Sequence, residues 1–123
     1  MLTSLYIKNY ALIDELNVQF NNGLTIITGE TGAGKSILLG GLSLVLGKRA
    51  DLSQVKDKDE KCIIEASFDI ANYNLKSLFT ELDLDYDVQT IIRREILPSG
   101  KSRAFINDTP ATLDNLSELS SHL

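Results

Sequence analysis

One run of eight residues carries the clearest chemistry: Gly29-Glu30-Thr31-Gly32-Ala33-Gly34-Lys35-Ser36 matches G-x-x-x-x-G-K-[ST] at every fixed position. A chain of phosphates needs many donors aimed inward at short range. Glycines let the backbone curl and bring N–H groups close to the oxygens with no side chain in the way. A helix starting at the end of the run adds unpaired N–H groups and the positive end of its dipole. Lys35 then sets an ammonium on the β- and γ-phosphates, and Ser36 offers its hydroxyl to Mg²⁺. The run is therefore read as a grip for a nucleoside triphosphate. The plain alternative is a glycine-rich turn between strand and helix that binds nothing. Glu30 occupies a variable place in the motif, so it is read as shaping the loop or facing solvent rather than as catalytic.

Such a grip needs a strand before it and a helix after it. Residues 24–28 are apolar and β-branched, as a buried central strand would be. Asn21-Asn22-Gly23 marks a tight turn into it. Before that turn, Leu16, Val18 and Phe20 alternate with Asn17 and Gln19 as a half-buried strand, and Leu5 and Ile7 begin an earlier one. After the grip, residues 36–46 spell a helix that is apolar nearly all round and is expected to be buried. Gly40 and Gly41 weaken it by about 1 kcal/mol each relative to alanine. Close packing on a sheet is the expected compensation, and Gly47 is the expected stop. Residues 48–61 are polar and read as a loop.

Further along, Cys62, Ile64, Ala66, Phe68 and Ile70 alternate with Ile63, Glu65, Ser67 and Asp69, the clearest strand in the chain. Leu75, Leu78, Phe79 and Leu82 follow helical spacing. Residues 90–97 and 103–107 read as a hairpin around Pro98-Ser99-Gly100-Lys101. Thr109 is read as the cap of a last helix, with Pro110 at its first position and Leu113, Leu116 and Leu119 on its apolar side. The sum is an α/β domain with a substantial antiparallel part and no internal repeat.

The bulk composition narrows the classes. The chain has 123 residues, 43% of them hydrophobic, which suits one globular domain. No apolar run is long enough to cross a bilayer. The opening MLTSLYIKNYALIDE lacks the basic, apolar, small-residue order of a secretory signal, so a cytoplasmic location is expected. Twelve basic residues against 17 acidic give a net charge of −5, which excludes wrapping nucleic acid by bulk charge.

Arg93 and Arg94 are adjacent in a strand and must face opposite ways. Lys101 and Arg103 could meet DNA phosphates, though a charged hairpin is more often a solvated edge. The single cysteine, Cys62, allows no internal disulfide and reads as a core filler. Glu65 and Asp69 share a strand face as solvated residues rather than as an acid/base pair. His122 reads as a helix-end residue.

The stretch LYIKNYALIDELNVQFNNGLTIITGETGAGKS resembles the ATPase heads of the structural-maintenance-of-chromosomes (SMC) and ATP-binding-cassette (ABC) class. More narrowly, IKNYALID, TGETGAGKSI, LGKRAD and RREILPSGKSRAFIND together resemble the RecN-like bacterial DNA repair ATPases, over essentially the whole chain. Lys48 stands where such chains commonly carry glycine. The resemblance implies a P-loop NTPase fold, the N-terminal lobe of an ABC/SMC-type ATPase head with an antiparallel β-subdomain. It also implies that Lys8 and Asn9 border the base and ribose, and that Arg49 reaches the nucleotide or an opposing head. A solvated strand end and a surface arginine are the respective alternatives.

RecN-like chains are far longer. They continue into a glutamine-containing loop, a coiled coil and a C-terminal lobe with the signature motif, a Mg²⁺-holding aspartate and a water-orienting glutamate. Residues 1–123 are therefore expected to be the N-terminal lobe alone, holding ATP and Mg²⁺ but carrying no catalytic residue of its own. The implied partners are DNA in the longer protein, its own C-terminal lobe and a second head in a homodimer, with no membrane. The implied setting is double-strand-break repair and recombination near the nucleoid, with little hydrolysis by the lobe alone. Two rivals stay open. A self-contained kinase or GTPase would normally show an arginine-rich lid or an N-K-x-D motif, and neither is present. A non-catalytic interaction lobe would expose apolar surface meant for a partner.

Overall fold

Alternation of apolar and polar residues dictates the sheet. The computed structural model describes residues 2–20, 32–49 and 52–123. Strand β1 (Leu2–Tyr10) turns back through Ala11 and Leu12 into β2 (Ile13–Gln19). Ala11 takes a left-handed φ of 53° there, which lets the chain reverse within two residues. β3 (Cys62–Asp69) buries Cys62, Ile64, Ala66 and Phe68 on one face, as its pattern requires. β4 (Gln89–Ile96) and β5 (Ser102–Ile106) form the expected hairpin, with Ile96 opposite Ser102. Its turn closes by the Leu97 N–H donating to the Lys101 carbonyl at 2.8 Å, with Gly100 at φ 91°. β6 (Thr109–Ala111) completes the described sheet in the order β2-β1-β3-β4-β5-β6, every neighbouring pair antiparallel.

Three α-helices among the described residues accompany the sheet: α1 (Gly32–Val45), α2 (Lys76–Glu81) and α3 (Leu113–Ser120). α1 lies against β1, β3 and β4, and the buried core gathers there: Leu38, Leu44 and Val45 from the helix with Leu5, Ile7, Ile64, Ile92 and Ile96 from the sheet. The glycine pair pays out as close packing. A Cβ on Gly40 would fall 2.7 Å from the Tyr10 hydroxyl oxygen, and one on Gly41 would fall 3.0 Å from Ile7 Cδ1. Gly47 ends the helix at φ 110°, with its N–H on the Leu44 carbonyl and the Lys48 N–H on the Ser43 carbonyl. This is the two-bond termination that a left-handed residue makes possible. No helix among the described residues is long and apolar enough to cross a membrane.

Four expectations need correction or restriction. α1 opens at Gly32 rather than at residue 36. The apolar periodicity marks only the packed part of a helix and is blind to a polar, glycine-rich first turn. α1 is also not buried all round: Leu39 is 66% exposed, because the sheet covers one side of the helix. Thr109 does not cap the last helix. Residues 109–111 pair with β5, after a turn in which Asn107 and Asp108 take φ values of 49° and 66°. Consecutive left-handed residues of this kind favour a two-residue hairpin. Pro110 is tolerated because it lies on an edge strand, where its missing N–H breaks no ladder. The true cap is Thr112, whose hydroxyl accepts from the Asn115 N–H at 3.0 Å while Asn115 Oδ1 accepts from the Thr112 N–H at 3.2 Å. Finally, the turn expected at 21–23 and the strand expected at 24–28 lie outside the described residues.

Candidate functional site

Gly32, Ala33, Gly34, Lys35 and Ser36 form the opening turns of α1, so their backbone lies at the positive end of a 14-residue helix. Gly29, Glu30 and Thr31 lie outside the described residues. The first turn contains no carboxylate that would repel an anion. The described part of the motif therefore lies in the N-terminal turns of a helix, where backbone N–H groups and the dipole favour negative charge.

What holds α1 in place is visible in detail. Its middle is seated on β1 through Gly40 and Gly41. Its far end has no basic residue in the last turn. The exposed carbonyls there are met instead from other elements. Ser120 of α3 donates its hydroxyl to the Leu46 carbonyl at 2.9 Å. Arg94 of β4 donates Nη1 to the carbonyls of Leu44 and Lys48, each at 2.8 Å, and Nη2 to Ser102 Oγ at 3.3 Å. α3 also packs so closely that a Cβ on Gly47 would fall 2.6 Å from Ser117 Oγ.

Arg94 was not singled out by its sequence beyond facing away from Arg93, yet it is 1% exposed. The signal was there in strand parity: Thr90, Ile92, Arg94 and Ile96 fall on the inward face of β4. Burial pulls the Arg94 guanidinium below its ordinary pKa. Arg93 takes the opposite face, beside Glu65, Glu95 and Asp108 at 3.8, 3.5 and 3.6 Å, with its guanidinium 5.1 Å from the centre of the Phe105 ring.

The remaining candidates separate. Lys8 is exposed and lines a polar pocket with Asp14, Glu15, Lys56 and Asp57. Asn9 is 4% exposed, in a left-handed conformation, and its amide is fully engaged by the following loop. Its Nδ2 donates to the carbonyls of Asp57 and Glu60 at 2.8 and 3.1 Å, and its Oδ1 accepts from the Asp57 N–H at 2.7 Å. The side chain of Asn9 is thus a clamp on residues 57–60, not a solvated strand end. Arg49 is exposed just beyond the end of α1, and Lys101 and Arg103 are exposed on the hairpin. Cys62 is buried, and burial pushes its thiol up to about 11. Among the described residues no group of three or more His, Cys, Asp or Glu side chains could hold a metal ion.

A family described as AAA domain matches residues 4–123. The DNA repair protein RecN of Xylella fastidiosa (strain Temecula1) is 40% identical over 124 residues, covering 100% of this chain and 22% of that protein. RecN of Vibrio cholerae is 42% identical over 120 residues, covering 97% of this chain and 22% of that protein. The chain thus spans about 22% of the length of these curated relatives. Among solved structures, one from work on ATP-driven dimerization and DNA-stimulated activation of SMC ATPases superposes with a TM-score of 0.73 at 19% identity, covering 98% of this chain and 78% of that one. The RecN-like resemblance read from the sequence holds, and the fold is that of an SMC-type P-loop ATPase head, α/β with an antiparallel sheet.

Proposed function

We propose a function from one premise: this chain belongs to the AAA domain family. Residues 1–123 act as the nucleotide-binding lobe of a DNA repair ATPase. The observation that carries this reading is where α1 begins. The helix opens at Gly32, inside the G-x-x-x-x-G-K-S run, so the motif and a helix N-terminus coincide. Gly29 to Ser36 would hold the phosphates of ATP, with Lys35 on the β- and γ-phosphates and Ser36 on Mg²⁺. The metal, when bound, neutralises charge on those oxygens.

The surrounding residues take supporting parts. Lys8 and Arg49, both exposed, remain candidates for contact with the nucleotide or an opposing head. Asn9 acts by holding residues 57–60, since its amide is already used. Leu39 supports a lobe that is completed by further apolar surface, the C-terminal lobe of the longer protein. The RecN relatives are named for DNA repair, and the SMC structure concerns ATP-driven dimerization and DNA-stimulated activation. The likeness supports a cytoplasmic, nucleoid-associated protein in double-strand-break repair and recombination. ATP would join two heads and hydrolysis would release them, because the γ-phosphate makes contacts in one state and not the other.

Titration of the purified chain with a fluorescent ATP analogue and Mg²⁺, beside Lys35→Ala, tests the reading. Binding is expected to be lost in the variant, with negligible turnover by either protein. Brisk turnover by the chain alone would show a self-contained enzyme instead, and binding indifferent to Lys35 would remove the phosphate grip.

A further inference from the structure

The far end of α1 is held by an unusual group. The Arg94 guanidinium is almost wholly enclosed, and no carboxylate among the described residues pairs with it. Its Nε is buried without a hydrogen-bond partner. Its compensation comes from two carbonyls at a helix C-terminus, Leu44 and Lys48, and from the Ser102 hydroxyl. A buried charge without a counter-ion is a costly way to fill space. What arginine supplies is direction. One nitrogen holds two carbonyls that flank the Gly47 turn, while the other nitrogen ties the same group to β5.

α1 runs unbroken from the phosphate motif at Gly32 to Val45, one residue past the Leu44 carbonyl that Arg94 holds. A helix of this length is stiff, so an axial shift or rotation at one end is felt at the other. Gly40 and Gly41 bring α1 close to β1 with no side chain of their own to lock it there. At the C-terminal end the hydrogen bonds from Arg94 and Ser120 add direction to that packing. We propose that Arg94 is a positioning residue for the nucleotide site, fixing α1 so that the backbone of residues 32–36 meets the phosphates and coupling nucleotide occupancy to the β4–β5 hairpin. This rests on the nucleotide-binding reading above. Coupling of this kind is reciprocal: if the Arg94 anchor strengthens nucleotide binding, nucleotide must strengthen the anchor.

The test uses the whole chain as Arg94→Lys and Arg94→Met, with Phe79→Leu as a destabilised control in α2, away from α1. Lysine keeps the charge but loses the planar fork. Affinity for the fluorescent ATP analogue with Mg²⁺ is expected to fall about tenfold in Arg94→Met and less in Arg94→Lys. In the parent chain, nucleotide is expected to slow hydrogen exchange at the Lys48 N–H, which closes the turn on Ser43, and Arg94→Lys is expected to blunt that response. Phe79→Leu should lose stability while keeping both affinity and response, so a merely structural role for Arg94 would look like Phe79→Leu. Should Arg94→Met fail to fold, the lysine variant carries the test. Lys35-dependent binding with unchanged affinity and exchange in Arg94→Lys would overturn the positioning role alone. Absence of binding in the parent chain, or binding indifferent to Lys35, would overturn the nucleotide reading and this inference with it.

Discussion

Arg93 and Arg94 are neighbours in one strand and inhabit two different environments. The outer face gives Arg93 three carboxylates at 3.5 to 3.8 Å, a ring to lie over and contact with water. The inner face gives Arg94 no described carboxylate and two carbonyls at 2.8 Å. By a count of opposite charges Arg93 is the better satisfied. By geometry and burial Arg94 is the more constrained. The pairs to Glu65 and Asp108 are open to solvent, screened and costly in side-chain entropy, so each is worth about 0–1 kcal/mol, whereas Glu95 is buried and is also met by Lys61 at 3.6 Å. Enclosed charge-assisted hydrogen bonds cannot be replaced by water when the donor is removed. The two faces of this sheet thus divide labour: the outer tolerates change, and the inner fixes where α1 sits.

The sharpest way to break this comparison is to remove both arginines in turn. Arg94→Met should cost about 2–3 kcal/mol in urea unfolding, because the Leu44 and Lys48 carbonyls lose a buried donor. Arg93→Met should cost less, about 1 kcal/mol, because Lys61 still faces the buried Glu95 at 3.6 Å, and high salt should erase the part owed to the exposed pairs. Equal losses for the two would end the distinction between the faces.

A smaller effect sharpens the inner face at the helix middle. Gly40→Ala gains about 1 kcal/mol of helix propensity, yet its Cβ would fall 2.7 Å from the Tyr10 hydroxyl oxygen. Overpacking of this kind costs about 1–3 kcal/mol, so the single variant should be destabilised. In a Tyr10→Phe background the same alanine should be neutral or stabilising. A double-mutant cycle with no coupling between the two sites would show that Tyr10 does not seat the helix.

The smallest effect is one of pH. Burial on the inner face raises the Cys62 thiol from 9.0 to about 11. The folded state then prefers the protonated thiol more strongly than the unfolded chain does. That contribution is complete below pH 9 and fades as pH rises toward 11. Cys62→Ala should flatten the fall in stability across this window, measured by denaturant unfolding at stepped pH. An unchanged slope would mean that the thiol ionises freely on the inner face.

Sequence patterns were legible wherever one local rule decided the outcome. β3 followed from strict alternation, the β4–β5 hairpin from a Pro-Ser-Gly-Lys turn between β-rich runs, and the end of α1 from Gly47. The glycine pair was also read correctly, because two adjacent glycines in an apolar helix have little use other than close approach. The failures came where two rules competed. Thr109-Pro110 is a good helix start and also a workable edge strand, and pairing with β5 after Asn107 and Asp108 decided between them. Arg94 was missed as an anchor because arginine is seldom enclosed, and its partners are backbone carbonyls that no sequence motif announces. Asn9 was legible as a special position but not as a clamp, since its partners lie almost fifty residues away along the chain. The phosphate motif was the plainest feature of the sequence; Gly32 to Ser36 lie in α1, and Gly29 to Thr31 lie outside the described residues.

The order of strands has a consequence for how the domain assembles. β3, β4, β5 and β6 are joined in series, and the β4–β5 and β5–β6 turns are only a few residues long. β1 joins the sheet by pairing Leu5 with Ala66, which closes a long loop containing all of α1. Loop closure of that length costs entropy before any distant contact rewards it. The meander from β3 to β6 is thus suited to form early, with the inward arginine already in place on β4. α1 would then dock between a prepared anchor and a late-arriving strand, as one of the last parts of the domain to take shape.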